Sequence, residues 1–212
     1  GFGAVLHHAP KGGFKANVVR SFQDGEYAFT HTEYDFFGPK IGFDIFKFEN
    51  GKIVEHWDNF SDLAPANPSN RSQTDGVIKI KNYDKTEENK ALIKDFVNTV
   101  LIGGEFDKLP QYFDGDNYIQ HNSMIGDGLS GFCKAIEEMA KQGITMVFEK
   151  SHILLGEGNF VLSVTEGTFA GKPTSFYDLF RIENGKIVEH WDTIETILPE
   201  SERKNSNGKF NF

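Results

Sequence analysis

Residues 49–58 read ENGKIVEHWD, and residues 183–192 read ENGKIVEHWD again. The match extends upstream at the same spacing, where Phe43-Asp44-Ile45-Phe46-Lys47 parallels Tyr177-Asp178-Leu179-Phe180-Arg181. Gly1-Phe2 also parallels Gly131-Phe132 once a few residues are deleted from the first copy. Ten identical residues beside matched flanks, in a chain of 212, mark a duplicated unit. The separation is too long for a solenoid repeat, so each copy is expected to be a small domain. The expected division is an incomplete repeat plus linker over residues 1–76 and a complete domain over residues 77–212. The joint runs from Ala64 to Gly76 and is rich in Pro, Asn and Ser, a linker by composition. Pro199 to Gly208 is similarly polar.

The copies are unequal, because the second carries a preamble from about Asp84 to Gly131 that the first lacks. Asp84 and Glu87 have capping-box spacing ahead of Leu92, Ile93, Phe96, Val97, Val100 and Leu101, an apolar stripe of helical period. Gly103-Gly104 ends that helix. Phe106 to Phe113 reads as a short second helix, Tyr118 to His121 as a short strand, and Ser130 to Gln142 as a third helix stopped by Gly143. Four strand-like runs follow, Ile144–Leu155, Phe160–Phe169, Thr174–Ile182 and Lys186–Ile194. Helices segregated to one side of an antiparallel meander give an α+β layer. The predicted fold is a cone-shaped, curved antiparallel sheet packed on helices, duplicated, with the first copy lacking its N-terminal helices.

At these residues a family resemblance becomes specific. Tyr118-Ile119-Gln120-His121-Asn122, Asp127-Gly128, Gly131-Phe132, Asp178-Leu179-Phe180-Arg181 and Gly185-Lys186-Ile187-Val188-Glu189-His190-Trp191-Asp192 resemble the SnoaL-like polyketide cyclase branch of the nuclear-transport-factor-2-like superfamily. The resemblance covers residues 84–196, and residues 1–60 for the later part of the fold. Ser123 departs from it, standing where many relatives have Pro. The superfamily hosts cyclases, isomerases, dehydratases, hydrolases and non-catalytic modules, so fold does not fix activity.

Composition excludes several classes. The net charge is −9 with no basic cluster, which argues against a nucleic-acid partner or an anionic membrane surface. No apolar run is long enough to span a bilayer. Cys133 is the sole cysteine, which excludes an intramolecular disulfide or a multi-cysteine metal site. The 21 Phe, against 2 Trp and 6 Tyr, point to ring-lined cores or pockets with no polar atom to satisfy. A soluble protein is expected, cytoplasmic by default. The start at Gly1-Phe2-Gly3, with no Met, leaves a processed start and export open.

Glu183-Asn184-Gly185-Lys186 is a hairpin signal with two registers open. A two-residue loop pairs Glu183 with Lys186 and sets Asp192 beside Tyr177. A three-residue loop pairs Ile182 with Lys186, which places Asp178 opposite His190, Phe180 opposite Val188 and Phe176 opposite Asp192. The second register is favoured because it gathers two rings and Val around three polar groups on one face. Tyr177, Leu179, Arg181, Ile187, Glu189 and Trp191 then occupy the other face, with Lys186 and Glu189 solvated. Those apolar outer positions are expected to pack on the first repeat's sheet, including Trp57, as a pseudo-dimer within one chain, with a homodimer as an alternative.

The candidate catalytic residues are Asp192, His190 and His121, with His121 facing the others from the short strand. The candidate ligand-binding residues are Asp178, Phe176, Phe180, Tyr118, Asn122 and Phe96. A carboxylate in an apolar pocket has its pKa raised by desolvation and lowered by a neighbouring imidazolium, a balance that suits a base removing a proton beside a carbonyl. The resemblance implies an acid/base Asp on the last strand for intramolecular aldol closure, a role that falls on Asp192. The expected ligand is a small, apolar carbonyl compound, with no cofactor because the carbonyl itself is the electron sink. No metal is expected, since the His and Asp lack ligand spacing.

Ordinary readings stand beside these. Asp178–His190 reads equally as a cross-strand pair contributing about 0.2–1 kcal/mol, and His121-Asn122 as a capped turn. His7-His8 show no ligand spacing, while His31 and His152 read as ordinary strand histidines. Copy one keeps Asp44, His56, Trp57 and Asp58 without a lid, so Phe36, Phe37, Phe43 and Phe46 need cover at about 25 cal/mol per Å² of apolar surface. Retention of the motif in a lidless copy favours a structural, non-catalytic role, and isomerase or dehydratase chemistry is the enzymatic alternative.

Overall fold

The computed structural model describes residues 13–35 and 37–212; the Gly1-Phe2 parallel, His7-His8 and Phe36 lie outside them. Two antiparallel sheets form. The first is a meander of β1 (Lys15–Asp24), β2 (Tyr27–Asp35), β3 (Pro39–Glu49) and β4 (Lys52–Asp62), in that order. The second contains β5 (Ile119–Gln120), β6 (Met146–Glu157), β7 (Phe160–Phe169), β8 (Lys172–Glu183) and β9 (Lys186–Thr196), ordered β5-β9-β8-β7-β6. Only β5 runs parallel, against β9. Ahead of β5 lie α1 (Thr86–Phe96), which continues into a π-helical stretch Val97–Ile102, and the short α2 (Leu109–Tyr112); α3 (Gly128–Lys141) follows β5. None of these helices is long and apolar enough to cross a membrane.

The repeated decapeptide dictates the same local structure twice. Asn50-Gly51 and Asn184-Gly185 both take positive φ at each residue, 51° and 73° in the first and 52° and 71° in the second. Two consecutive left-handed residues make the two-residue turn that Asn-Gly favours. Glu49 therefore pairs with Lys52, and Glu183 with Lys186. A bulge follows in each hairpin, leaving Val54 or Val188 as the extra residue. Beyond it Asp178 lies opposite Asp192 and Phe180 opposite His190, as Asp44 lies opposite Asp58 and Phe46 opposite His56.

Neither register expected from the sequence occurs along the whole hairpin. The turn follows the two-residue form, and the bulge then shifts the pairing. The favoured register differs from the observed one by two residues beyond the bulge. Such an offset preserves alternation, so Asp178, Phe180, His190 and Asp192 still share a face. Ile187 moves to that face, into the apolar cluster with Phe180 and Ile182, contrary to its expected place. Glu189 is not solvated; it is 1% exposed.

The second sheet is covered on both sides. Its concave face meets the first two helices through Ile93, Phe96, Val100, Tyr112 and Phe113, packed on Val161, Phe180, Ile182 and Ile187. Its other face packs on the first sheet, joining Leu162, Tyr177, Leu179 and Trp191 to Phe29, Phe43, Ile45 and Trp57. The sheet-to-sheet pairing thus lies within the chain. Asn59 on β4 donates to Thr193 O on β9 at 2.8 Å, tying polar groups across the same contact. Phe43 is covered by this contact, whereas Phe37 remains exposed.

One local expectation fails for an identifiable reason. Asp84 makes no cap bond; it sits in a 3-10 turn, and α1 opens at Thr86, whose Oγ1 donates to Tyr83 O and accepts from Gly158 N. The segment Ala64 to Gly76 is more than a tether. It has no regular structure, yet Asn67 is buried and its side chain donates to Gln120 O and Ile125 O at 2.7 and 2.8 Å.

Candidate functional site

A cavity lies between the concave face of the second sheet and the helices. Its walls are mostly rings and aliphatic chains, among them Phe96, Phe113, Phe132, Phe148, Phe176 and Phe180. The polar lining is confined to Tyr118, Gln120, Asn122, Asp178, His190 and Asp192, contributed by β5 and its flanks, β8 and β9. A concave apolar space with a few convergent polar groups is the usual form of a small-molecule site.

His190 sits at the centre of that polar wall. Its Nε2 lies 3.0 Å from Asp178 Oδ1, and its Nδ1 lies 2.9 Å from Gln120 Oε1. Gln120 cannot present its amide the other way, because Oε1 also accepts from the backbone N–H of His121 and of Asn122 at 2.9 Å each. Its Nε2 donates to Tyr118 OH at 3.0 Å. Nδ1 of His190 must therefore carry hydrogen, leaving Nε2 to face Asp178. Burial works against a charge on His190, but the hydrogen bond it donates to Asp178 and the fields of Asp192 and Asp178 prevail, and its pKa is raised.

Asp192 is held by Asn122, whose Nδ2 donates to Oδ2 at 2.7 Å while its Oδ1 accepts from Met124 N at 2.9 Å. Burial raises the Asp192 pKa; Asp178 adds to the rise, and His190, the Asn122 bond and His121 only partly offset it. Asp178 Oδ2 is buried with no partner among the described residues. Burial and the fields of Asp192 and Asp178 also push the Tyr118 hydroxyl far up. That hydroxyl keeps its proton and accepts from Gln120.

One expected site residue is not in the cavity. His121 points to the opposite side of the sheet, where it stacks on Trp191 with ring centroids 4.7 Å apart and planes within 4°. The reason is alternation: Gln120 pairs with His190 and shares its face, so its neighbour His121 points away and Asn122 returns. Tyr118, Gln120 and Asn122 form the inward set. Gln120 was not among the expected site residues, although period two from Tyr118 and Asn122 was the signal for it. Phe96, Tyr118, Asn122, Phe176, Asp178, Phe180, His190 and Asp192 are all brought to the one cavity.

Asp178, His190 and Asp192 can each offer one ligand atom within 4.8 Å of the others. A cation there would have to draw His190 Nε2 away from Asp178 and compete with Asn122 for Asp192. Without such an ion the His190 ring is held between Asp178 and Gln120, with Asp192 held by Asn122.

No family model matches this sequence, and neither does any curated protein. Solved structures similar to the chain include a protein provisionally classed as a ketosteroid isomerase, from Kribbella flavida, at 15% identity and a TM-score of 0.47, covering 59% of this chain and 95% of that one. A SnoaL-like polyketide cyclase from Agrobacterium tumefaciens aligns at 15% identity and a TM-score of 0.40, covering 50% of this chain and 91% of its own. An LEH-like epoxide hydrolase from M. tuberculosis aligns at 23% identity and a TM-score of 0.39, covering 52% and 85%.

Proposed function

We propose that the second cone is a cofactor-independent acid–base site for a small, largely apolar carbonyl compound, which it enolises for aldol ring closure. The observation that carries this reading is Asp192: a carboxylate with a raised pKa, fixed by Asn122, beside His190 in a cavity otherwise walled by rings. Asp192 takes the proton from carbon adjacent to the carbonyl. Tyr118 OH donates toward the developing enolate oxygen, and His190, held between Gln120 and Asp178, contributes its positive field rather than a free N–H. Such groups act where charge develops, which is where preorganised donors contribute most. Residues 77–212 would form the complete working unit and residues 1–76 its incomplete partner.

The test is exchange of α-hydrogens for deuterium in a panel of cyclic ketones and 1,5-diketones, followed by NMR, together with analysis for cyclised product. The parent protein should catalyse exchange, and Asp192→Asn should bind but not exchange. Binding without exchange in the parent would leave a ligand-binding module, the reading that the motif's retention in the first sheet favours. Exchange with double-bond migration and no ring closure would place the site among isomerases.

A further inference from the structure

The back of β5 is as heavily tied as its front. His121, 1% exposed, places Nε2 at 2.9 Å from Glu189 Oε1, and Glu189 is itself held by Arg181 Nε at 2.5 Å. Its Nδ1 meets Asp75 Oδ1 at 2.7 Å and Ser72 O at 2.9 Å. Trp191, against which His121 stacks, donates its indole N–H to Asp75 O at 2.9 Å. Arg20 from the first sheet lies over the same indole at 4.2 Å and donates to Asp75 O at 2.8 Å.

The connecting segment also holds the strand's own backbone. Asn67 donates to Gln120 O, and Arg71 pairs at 3.0 Å with Asp127, whose other oxygen accepts from Gln120 N at 3.0 Å. Gly76 passes so close that a Cβ there would stand 2.1 Å from Glu189 Oε1 and 2.9 Å from His121 Nε2, with φ at +93°. Only glycine fits that approach without displacement.

We infer that His121 is a positioning residue and that the segment between the two sheets, braced by the first sheet, is the clamp that sets β5 against β9. The consequence falls on the other face of the same strand. Gln120 and Asn122 flank His121, and they orient His190 and Asp192. A side chain locked at alternate positions fixes the strand's rotation about its axis, so movement at His121 would displace both neighbours together. The first repeat would then serve the second site without lining it. This inference rests on the reading of His190 and Asp192 as the working pair.

The experiment reads His190 by side-chain 15N NMR across pH, in the full chain. The ionisable groups facing His190 are Asp178, Asp192 and Tyr118; the helical wall adds only apolar residues. His121→Phe retains a ring against Trp191 but removes the polar contacts to Glu189, Asp75 and Ser72. It is expected to fold, to spread His190 over both tautomers, and to shift its titration midpoint by about one pH unit, a tenfold change in proton affinity. Asp75→Asn, on the segment itself, should shift it in the same direction by less, and it serves as the second variant if His121→Phe does not fold. Lower thermal stability with His190 signals unchanged in Asp75→Asn, or in a folded His121→Phe, would reduce the clamp to a packing role and overturn the inference. The spectra need no turnover, so an absence of carbonyl chemistry would defeat the acid–base reading while the tautomer still decides the clamp.

Discussion

The same decapeptide builds two polar clusters, and they differ in what reaches them. In the first sheet His56 Nε2 lies 3.0 Å from Asp44, and Asp44 Oδ2 is further satisfied by Tyr34 OH at 2.9 Å and Thr30 Oγ1 at 3.3 Å. In the second sheet His190 lies at the same 3.0 Å from Asp178, yet Asp178 Oδ2 is unpartnered among the described residues. Gln120 on β5 holds His190, and Asn122 just past it holds Asp192; the first sheet has no such strand among the described residues. The hairpin supplies an aspartate–histidine pair wherever it occurs. In the second sheet a segment from outside the hairpin adds partners for His190 and Asp192, while no counterpart of the Tyr34 and Thr30 bonds reaches Asp178 Oδ2 among the described residues.

The largest expected difference between the clusters is catalytic. Asp192→Asn should lower α-hydrogen exchange by roughly 10²–10⁴-fold, the scale of general-base loss. Asp58→Asn, the same change in the first sheet, should leave the rate within about twofold of the parent if general-base catalysis is confined to the second site. Equal losses from both, in proteins shown to be folded by thermal unfolding, would mean that the motif acts through structure alone.

The next effect is on stability. Trp57 and Trp191 are paired by sequence and both enter the inter-sheet core, but Trp191 is fully buried and also carries the Asp75 bond. Truncating a buried Trp to Ala costs about 3–5 kcal/mol. Denaturant unfolding should place Trp191→Ala at the upper end of that range and Trp57→Ala at or below the lower. A reversed order would show that the first sheet dominates the shared core.

A smaller effect separates the two histidines by pH. Both have raised pKa values: burial opposes the charge in each, and hydrogen bonding and the fields of neighbouring aspartates overcome it. A folded-state value above the unfolded one, about 6.5 for His, means the folded protein binds the proton more tightly. The stabilisation is therefore complete below that pH and is lost as pH rises through the raised folded value. Asp192, also raised, adds a loss of the same sign beginning at the ordinary carboxylate range. Melting temperature should fall as pH climbs from about 6, and His190→Gln should flatten that slope more than His56→Gln, whose wild-type ring is more exposed and better screened. Equal flattening would deny the second pair its special environment. The smallest change is expected on dialysis against a chelator, which should leave both melting temperature and exchange rate unaltered; a loss restored by zinc would reassign Asp178, His190 and Asp192 as ligands.

Much of this was legible in the residues because it follows from period and identity. Alternation along β8 and β9 placed Phe176, Asp178, Phe180, His190 and Asp192 on one face, and an error of two residues in register could not disturb it. The pairing of Trp57 with Trp191 in a shared core followed from apolar outer positions present in both copies. His121 was misplaced because its chemistry outweighed its parity: with Tyr118 and Asn122 inward, the residue between Gln120 and Asn122 had to point outward. Glu189 read as solvated because a charged side chain is seldom buried unless paired, and one of its partners, His121 just past β5, lies far from it in sequence. The structural work of Asn67 and Gly76 was hidden in a composition that signals a loop, since nothing local records which backbone groups a loop will meet.

Gly76 has a consequence for inheritance. Two separate copies of a single subunit would carry every substitution in both halves of their contact at once. Here each sheet's half of the contact is encoded separately, so a residue such as Arg20 can be shaped to fit Trp191 without its twin position changing. The likeness written in the decapeptide can then decay on one side, and the glycine marks where the two sides differ: the chain crosses against Glu189 and His121 beside Trp191, whereas at Trp57 the C-terminal segment packs through the ring of Phe212 instead.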